Sequence, residues 1–335
     1  MLAAILGLSG PSLTDDERAL FRAADPAGFI LFGRNVVDKA QLRALTDSLR
    51  DLAGRADLPV LIDQEGGRVA RLKPPAWPEF PAQGRFGALY ELAPISAIEA
   101  ARVNAEALGL TVAEMGINVD CLPLLDLPRP GADAIIGDRA WGSDPMRAAA
   151  LGRAVLDGLE AAGICGVVKH IPGHGRARAD SHEALPVVDA SEEELAIDLA
   201  PFRALRDAPM AMTAHILYPA WDADHPATIS PKIIAEIIRG AIGFDGLLMS
   251  DDLAMKALSG TPGDRARATI EAGCDVVLHC SGEMMDNEAI AGAAGAMSEA
   301  ALKRLARAMA RIAGKASTQS YEALAAKRDA LLAFA

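Results

Sequence analysis

Short apolar runs alternate with amphipathic stretches along most of this 335-residue chain. The runs have the length and the β-branched content of strands that are buried on both faces. They cover residues 2–8, 28–32, 59–62, 117–125, 165–168, 210–214, 246–249 and 275–278. Helical signals separate them, including the capping-box spacing of Thr14 with Glu17 and of Ser191 with Glu194. The pattern therefore predicts eight successive strand-and-helix units.

Eight such units predict an α/β fold, a single-domain (β/α)8 TIM barrel, with the barrel over about residues 1–315. The stretch that follows predicts an extra C-terminal helix over about 317–335, packed outside the barrel. A doubly wound sheet is the alternative, but no Gly-x-Gly-x-x-Gly motif follows any of the predicted strands.

Composition limits the partners of the chain. The formal net charge of −12 argues against nucleic acid and anionic membranes, because both bind basic surfaces. No apolar run is long enough to span a bilayer, and the N-terminal stretch lacks a basic region, so we expect a cytoplasmic protein. The four cysteines are scattered without a Cys-x-x-Cys motif and are expected to be buried thiols. We also expect a monomer.

The stretch 165–186, CGVVKHIPGHGRARADSHEALP, concentrates ionisable side chains at the end of the fifth predicted strand. Lys169 and His170 interrupt the apolar run, and we expect Lys169 in the polar end of the strand and His170 in irregular backbone after it. Pro172 and the glycines after it predict a long irregular loop. Barrel enzymes collect their catalytic groups at this end of their strands. The stretch is therefore the first candidate for a functional site.

Two other strand ends carry carboxylates. Asp251 directly follows the seventh run, where a nucleophile would lie, although a cap on the next helix is an equal alternative. Asp63 follows the third run and has Arg71 nearby in sequence. These two side chains could bind the hydroxyl groups of a polar substrate, or they could form a structural ion pair.

The central stretch itself allows several chemistries. Lys169 could form a Schiff base. His170, His174 and His182 could converge on a catalytic zinc, which we rank as the lesser alternative, and we expect no metal. Asp180 lies two residues before His182, and a carboxylate beside an imidazole favours the protonated, proton-donating ring. An Asx-turn with an exposed histidine is the structural alternative.

Three strings together resemble glycoside hydrolase family 3, and within it the single-domain bacterial β-N-acetylglucosaminidases. The strings are IDQEGGRVARL, KHIPGHGRARADSH and MSDDLAM, and they occur in the order of the family. The resemblance implies a barrel enzyme that removes terminal N-acetylglucosamine. In the single-domain branch it also implies action on N-acetylglucosaminyl-1,6-anhydro-N-acetylmuramic acid, with or without its peptide, in peptidoglycan recycling.

The resemblance also implies roles for residues. Asp251 would be the nucleophile that forms a covalent glycosyl-enzyme, and His182 would be the general acid/base with Asp180 as its partner. The terminal sugar would be held by Asp63, Arg71, Arg139, Lys169 and His170. A histidine on a mobile loop would thus replace the second carboxylic acid of most glycosidases, with retention of configuration and no cofactor.

Some features leave alternatives open. Arg176 and Arg178 make the loop more basic than expected and could meet the carboxylate or peptide of an anionic muramic substrate. No second α/β domain is visible, which favours the hexosaminidase branch of the family. A barrel aldolase that uses Lys169, a non-catalytic muropeptide-binding barrel and a phosphorylase variant of the glycosidase remain as alternatives.

Overall fold

The structure is a computed structural model that describes residues 1–334. Eight parallel strands close into one barrel in chain order, and β1 pairs with β8 through Ile5 and Leu278. The strands are β1 (Leu2–Gly7), β2 (Pro26–Leu31), β3 (Val60–Ile62), β4 (Val119–Asp120), β5 (Cys165–Ile171), β6 (Met210–Thr213), β7 (Leu247–Asp252) and β8 (Val276–His279). The predicted (β/α)8 fold is confirmed, and a doubly wound sheet is excluded because the sheet has no edge.

Helices surround the barrel. They are α1 (Asp15–Ala24), α2 (Lys39–Ala53), α3 (Gln83–Leu92), α4 (Pro94–Glu114), α5 (Pro145–Ala161), α6 (Glu192–Ala204), α7 (Pro262–Ala272), α8 (Met284–Ala293), α9 (Glu299–Ala310) and α10 (Tyr321–Leu332). A π-helix spans Ile233–Ile242, and short 3₁₀ turns span Gly33–Asn35, Gly137–Arg139 and Ala227–Ile229. The helical segment between β6 and β7 thus has the wider π form.

Local sequence signals explain where several helices begin. Thr14 Oγ1 accepts a hydrogen bond from the Glu17 N–H, and the Glu17 carboxylate accepts one from the Thr14 N–H. Ser191 and Glu194 form the same reciprocal pair at the start of α6. Both predicted capping boxes are confirmed. Each satisfies backbone donors that the first turn of a helix leaves free.

The extra C-terminal helix is α10, which packs against α4 on the outside of the barrel. It begins at Tyr321, a little later than the expected residue 317, because Ser320 caps it by accepting from the Ala323 N–H. The predicted end at residue 335 lies outside the described residues.

Two strands run further than their apolar residues suggest. β5 continues through Lys169 and His170 to Ile171, so the expectation that His170 lies in irregular backbone is wrong. The Lys169 carbonyl accepts from the Leu125 N–H at 2.7 Å, and its N–H donates to Pro123 O at 3.1 Å. β7 likewise continues through Asp251. Lys169 can stay in a barrel strand because the carboxylates of Asp63 and Glu65 neutralise it.

Strand β4 is shorter than its apolar run of residues 117–125 suggests. Pro123 has no N–H to donate, and the Leu122 N–H turns back to Asp120 O, so the regular ladder stops at Asp120. All four cysteines are buried and none forms a disulfide, as the sequence predicts. Within residues 1–334, no helix combines the length and the apolar character that crossing a bilayer requires.

Candidate active site

A cavity of about 260 Å³ opens at the mouth formed by the carboxyl ends of the strands. Its polar lining is supplied by Asp63, Glu65, Arg71, Arg139, Lys169, His170, His174, Ser181, His182, Asp251 and Asp252. Ile30, Phe32, Ile136, Met212, Met255 and Leu278 contribute apolar wall. Every side chain singled out by the family resemblance therefore faces this pocket, except Asp180, which reaches it through His182.

One side of the pocket is a buried ionic cluster. Lys169 Nζ lies 2.9 Å from Asp63 Oδ1 and 2.6 Å from Glu65 Oε1. Arg139 binds both oxygens of Glu65, at 2.8 and 2.9 Å, and Arg71 Nη2 donates to Asp63 Oδ2 at 3.1 Å. The predicted pair of Asp63 with Arg71 is present, as part of a larger network. Paired carboxylates and cations at a pocket wall are suited to holding sugar hydroxyl groups.

The cluster keeps its groups ionised although they are buried. Burial alone would raise the pKa of Glu65, but Lys169 and Arg139 outweigh it and lower the pKa to about 2. Burial alone would also lower the pKa of Lys169, yet Asp63 and Glu65 raise it above its ordinary value. A lysine held protonated in this way is a poor nucleophile, which counts against the Schiff-base aldolase.

The centre of the pocket floor is organised by Asp126, which is fully buried. Its carboxylate lies 2.7 Å from His170 Nδ1 and also accepts from the backbone N–H of His174 at 2.5 Å. The Asp126 contact fixes the imidazole of His170, so its other nitrogen is left for the pocket. Burial would raise the pKa of Asp126, but His170 and His174 lower it.

Asp251 lies near the end of β7 and points into the pocket. Its Oδ1 accepts from the Asp252 N–H at 2.8 Å, whereas Oδ2 accepts no hydrogen bond from the described residues. Burial would raise its pKa, but the charges on His170 and His215 and the Asp252 N–H lower it. The alternative role of Asp251 as a helix cap is wrong, because Thr261 caps α7. Asp251 is thus an ionised carboxylate with a free oxygen.

The loop 172–186 brings His182 into the lining of the same pocket. His182 Nδ1 lies 2.7 Å from Asp180 Oδ1, which also accepts from the His182 N–H at 2.9 Å. The imidazole is 61% exposed. Burial would raise the pKa of Asp180, but its bonds to His182 lower it. Because Nδ1 is committed to Asp180, Nε2 is the nitrogen available to a substrate.

The two arginines of the loop, Arg176 and Arg178, lie outside this pocket. Arg176 turns away from the pocket and donates from Nε to Asp198 on α6 at 2.5 Å. Arg178 is exposed. Neither lines the pocket that contains Asp251. Arg176 therefore has a structural ion-pair partner, Asp198, which the sequence did not reveal.

Sequence reasoning missed Glu65, Asp126 and His215. Glu65 lies two residues after Asp63, which in an extended chain places both on one face. Asp126 directly follows an apolar run, as Asp251 does, and the same argument could have identified it. His215 Nδ1 lies 2.7 Å from Thr228 Oγ1, and its Nε2 lies 3.0 Å from Asp252 O. Only its position after β6 could have pointed to it.

The histidine geometry does not favour the zinc alternative. Nδ1 of His170 is taken by Asp126, and the rings of His170 and His174 lie 5.6 Å apart at 61°. Within residues 1–334, no group of three or more His, Cys, Asp or Glu side chains is arranged to hold a metal ion.

Comparison with known proteins decides the family. The model of the "Glycosyl hydrolase family 3 N terminal domain" matches residues 5–314. The chain belongs to glycosyl hydrolase family 3. The resemblance seen in the three sequence strings is confirmed.

Curated family 3 relatives carry the name beta-hexosaminidase. The protein from Bordetella avium is 37% identical over 283 residues, which cover 83% of this chain and 80% of the relative. The protein from Alkalilimnicola ehrlichii is 40% identical over 282 residues, with the same shares of 83% and 80%. The chain is thus a family 3 glycosidase of the β-N-acetylhexosaminidase type.

Solved structures agree with this assignment. A family 3 β-N-acetylglucosaminidase from Paenibacillus sp. superposes with a TM-score of 0.87 at 31% identity, over 98% of this chain and 66% of that one. NagZ from Neisseria gonorrhoeae superposes with a TM-score of 0.85 at 32% identity, over 99% of this chain and 96% of that one.

Proposed function

We propose that this family 3 enzyme is a retaining exo-β-N-acetylglucosaminidase that forms a covalent glycosyl ester on Asp251. The observation that carries the proposal is the difference between the pocket carboxylates. Asp63 and Glu65 are held by cations, whereas Asp251 is ionised and makes no ion pair with any residue from 1 to 334. A carboxylate that is desolvated, charged and unpaired is suited to nucleophilic attack.

The proposed reaction has two steps. In the first step, His182 Nε2–H protonates the glycosidic oxygen, the bond from C1 to that oxygen breaks, and an Asp251 oxygen bonds to C1. In the second step, neutral His182 takes a proton from water, the water oxygen bonds to C1, and the Asp251 carboxylate leaves. Two inversions give net retention. Asp180 holds the ring and stabilises its protonated form.

The proposal also assigns the residues that bind the terminal sugar. Asp63, Arg71, Arg139, Lys169 and His170 would hold the terminal N-acetylglucosamine at the inner wall of the pocket. The proposed substrate is N-acetylglucosaminyl-1,6-anhydro-N-acetylmuramic acid, with or without peptide, and the proposed role is peptidoglycan recycling in the cytoplasm by a monomer. The cavity of about 260 Å³ is of a size that suits one sugar ring rather than a long glycan.

The test uses p-nitrophenyl N-acetyl-β-glucosaminide with the wild type, Asp251→Ala and His182→Ala. We expect Asp251→Ala to lose at least about 10³-fold in kcat, because the carboxylates of Asp63 and Glu65 are held by cations and cannot replace the nucleophile. Azide should restore turnover of Asp251→Ala and give a glycosyl azide of inverted configuration. Asp245→Ala, at the opposite end of the barrel, should keep wild-type turnover. Activity of Asp251→Ala within tenfold of the wild type would exclude the covalent mechanism.

A second experiment addresses the substrate and the acceptor. The anhydromuramic disaccharide should be hydrolysed with a higher kcat/KM than chitobiose. Equal or lower kcat/KM for the anhydromuramic disaccharide would refute the proposed substrate. Turnover with and without phosphate separates a hydrolase from a phosphorylase, since only the latter would release the sugar 1-phosphate.

A further inference from the structure

The loop 172–186 is held unevenly along its length. In its first part, the Arg129 N–H donates to Gly175 O at 3.0 Å and the Asp133 N–H donates to Ala177 O at 2.8 Å. A Cβ on Gly175 would lie 2.0 Å from Leu127 O, so the two loops are in close contact there. Beyond Ala177 the loop is held again at Ser181, which is 3% exposed and whose carbonyl accepts from the Ala257 N–H at 3.2 Å, whereas His182 itself is 61% exposed. The position of His182 thus depends on two anchors, the first part of the loop and Ser181.

A buried carboxylate on α6 holds that first part. Arg176 Nε donates to Asp198 Oδ2 at 2.5 Å, and Arg176 Nη2 donates to Glu194 O at 2.9 Å. Arg129, from the loop after β4, donates from Nη2 to Asp198 Oδ1 at 3.2 Å. We call Arg129, Arg176 and Asp198 the Asp198 clamp. It joins three segments of the chain through one carboxylate.

The Asp198 clamp is suited to holding the loop in one position, because its three side chains are largely buried. The Asp198 side chain is only 5% exposed, and those of Arg176 and Arg129 are 16% and 24% exposed. Charged hydrogen bonds to a carboxylate are directional, and an arginine guanidinium offers its donors in a rigid plane. Breaking one contact would leave a buried charge partly unpaired, so the clamp strongly favours one position of the loop.

We propose that the Asp198 clamp is a positioning device that sets the catalytic loop so that His182 reaches the glycosidic oxygen. The proposal rests on the acid/base role proposed for His182. Arg176, Arg129 and Asp198 do not line the pocket that contains Asp251, so they act through the loop rather than on the substrate. Arg176 is the member of the clamp that belongs to the loop itself.

The test exploits the chemistry of leaving groups. A dinitrophenyl aglycone leaves as a stable anion and needs no proton, whereas a phenyl or sugar aglycone must be protonated as its bond to C1 breaks. In Arg176→Met, kcat/KM should fall at least about tenfold for phenyl N-acetyl-β-glucosaminide and less than about twofold for the dinitrophenyl glycoside. Arg176→Lys, which keeps the charge, should recover part of the loss on the phenyl glycoside.

A matched control separates positioning from stability. Asp275 is also buried and also bound by two arginines, Arg239 at 2.8 Å and Arg304 at 2.9 Å, but it lies at the opposite end of the barrel. Arg239→Met removes a comparable ion pair and should affect both glycosides equally. If Arg176→Met also lowers both glycosides by the same factor, the clamp has a structural role only and the inference is wrong.

The same assay distinguishes this inference from the proposed function. His182→Ala must itself show the selective loss on the phenyl glycoside. If it does not, the acid/base role of His182 fails and the inference falls with it. If His182→Ala shows the selective loss and Arg176→Met does not, only the clamp is refuted. Thermal unfolding of each variant confirms that the folded enzyme is being compared.

Discussion

Single buried carboxylates fix the positions of neighbouring residues around this pocket. Asp126 accepts from the His170 N–H and the His174 N–H and also contacts His170 Nδ1. It therefore holds the imidazole of His170 and the backbone of His174 at once. The sequence contains no local sign of this convergence, because the partners are more than forty residues apart in the chain.

Asp126→Ala tests whether Asp126 holds His170 and His174 in place. The substitution leaves buried N–H donors without an acceptor, and each such donor costs about 1–3 kcal/mol. We expect a loss of at least about 3 kcal/mol in unfolding free energy and at least about tenfold in kcat/KM, because His170 loses its orientation.

Asp133→Ala is the control for that substitution. The Asp133 carboxylate, on the same loop, accepts from the Ile135 N–H at 2.7 Å and is only half-buried. Its removal should cost less than about 1 kcal/mol. Chemical denaturation and kinetics of both variants provide the measurement. Equal costs for the two substitutions would mean that Asp126 is not the organising group.

At the scale of elements, the apolar runs were a good guide to the strands because a barrel strand is covered on both faces. They failed at β5 and β7, where the strand continues into charged residues. Lys169 is neutralised by Asp63 and Glu65 from the end of β3, and no local pattern records that pairing. The positions of site residues at strand ends were thus predictable, whereas their partners were not.

Helix packing around the barrel depends on close approach at glycines. A Cβ on Gly158 of α5 would lie 2.2 Å from Arg102 O of α4. Gly109 of α4 is similarly close to Ala162, with a Cβ distance of 2.6 Å. Small residues at these points let the two helix backbones come together, which side chains would prevent.

Gly158→Ala is therefore expected to destabilise the protein although alanine favours helix. The added methyl must push α4 and α5 apart, which typically costs about 1–3 kcal/mol. Gly292→Ala in α8, where no atom lies within 4 Å of the added Cβ, should instead stabilise the protein by about 0.5–1 kcal/mol. Thermal unfolding of the two variants gives the comparison. A stabilised Gly158→Ala variant would contradict the close packing of α4 against α5.

At the scale of the whole molecule, ionic groups are buried at both ends of the barrel. The mouth contains the cluster of Asp63, Glu65, Arg139 and Lys169, and the opposite end contains Asp275 with its two arginines. Such clusters hold the chain in one arrangement, because removing the charge of one member leaves the others buried and unpaired. They also make the stability of the barrel depend on pH.

The mouth cluster predicts a defined loss of stability in acid. The pKa of Glu65 is lowered from 4.5 to about 2, and that of Asp63 is also lowered. A carboxyl with a lowered pKa stabilises the folded state fully above its ordinary value, and that stabilisation is lost as pH falls towards the lowered pKa. For Glu65 this amounts to roughly 3 kcal/mol, lost between about pH 4.5 and pH 2.

Glu65→Gln isolates this contribution. The variant should be less stable than the wild type at neutral pH, and the difference should shrink as the pH falls below about 4.5, since protonated Glu65 resembles glutamine. Glu288→Gln, on the exposed surface of α8, should follow the wild type at every pH. The measurement is the free energy of unfolding in denaturant at a series of pH values. A difference between Glu65→Gln and the wild type that stays constant down to pH 2 would mean that Lys169 and Arg139 do not hold Glu65 ionised.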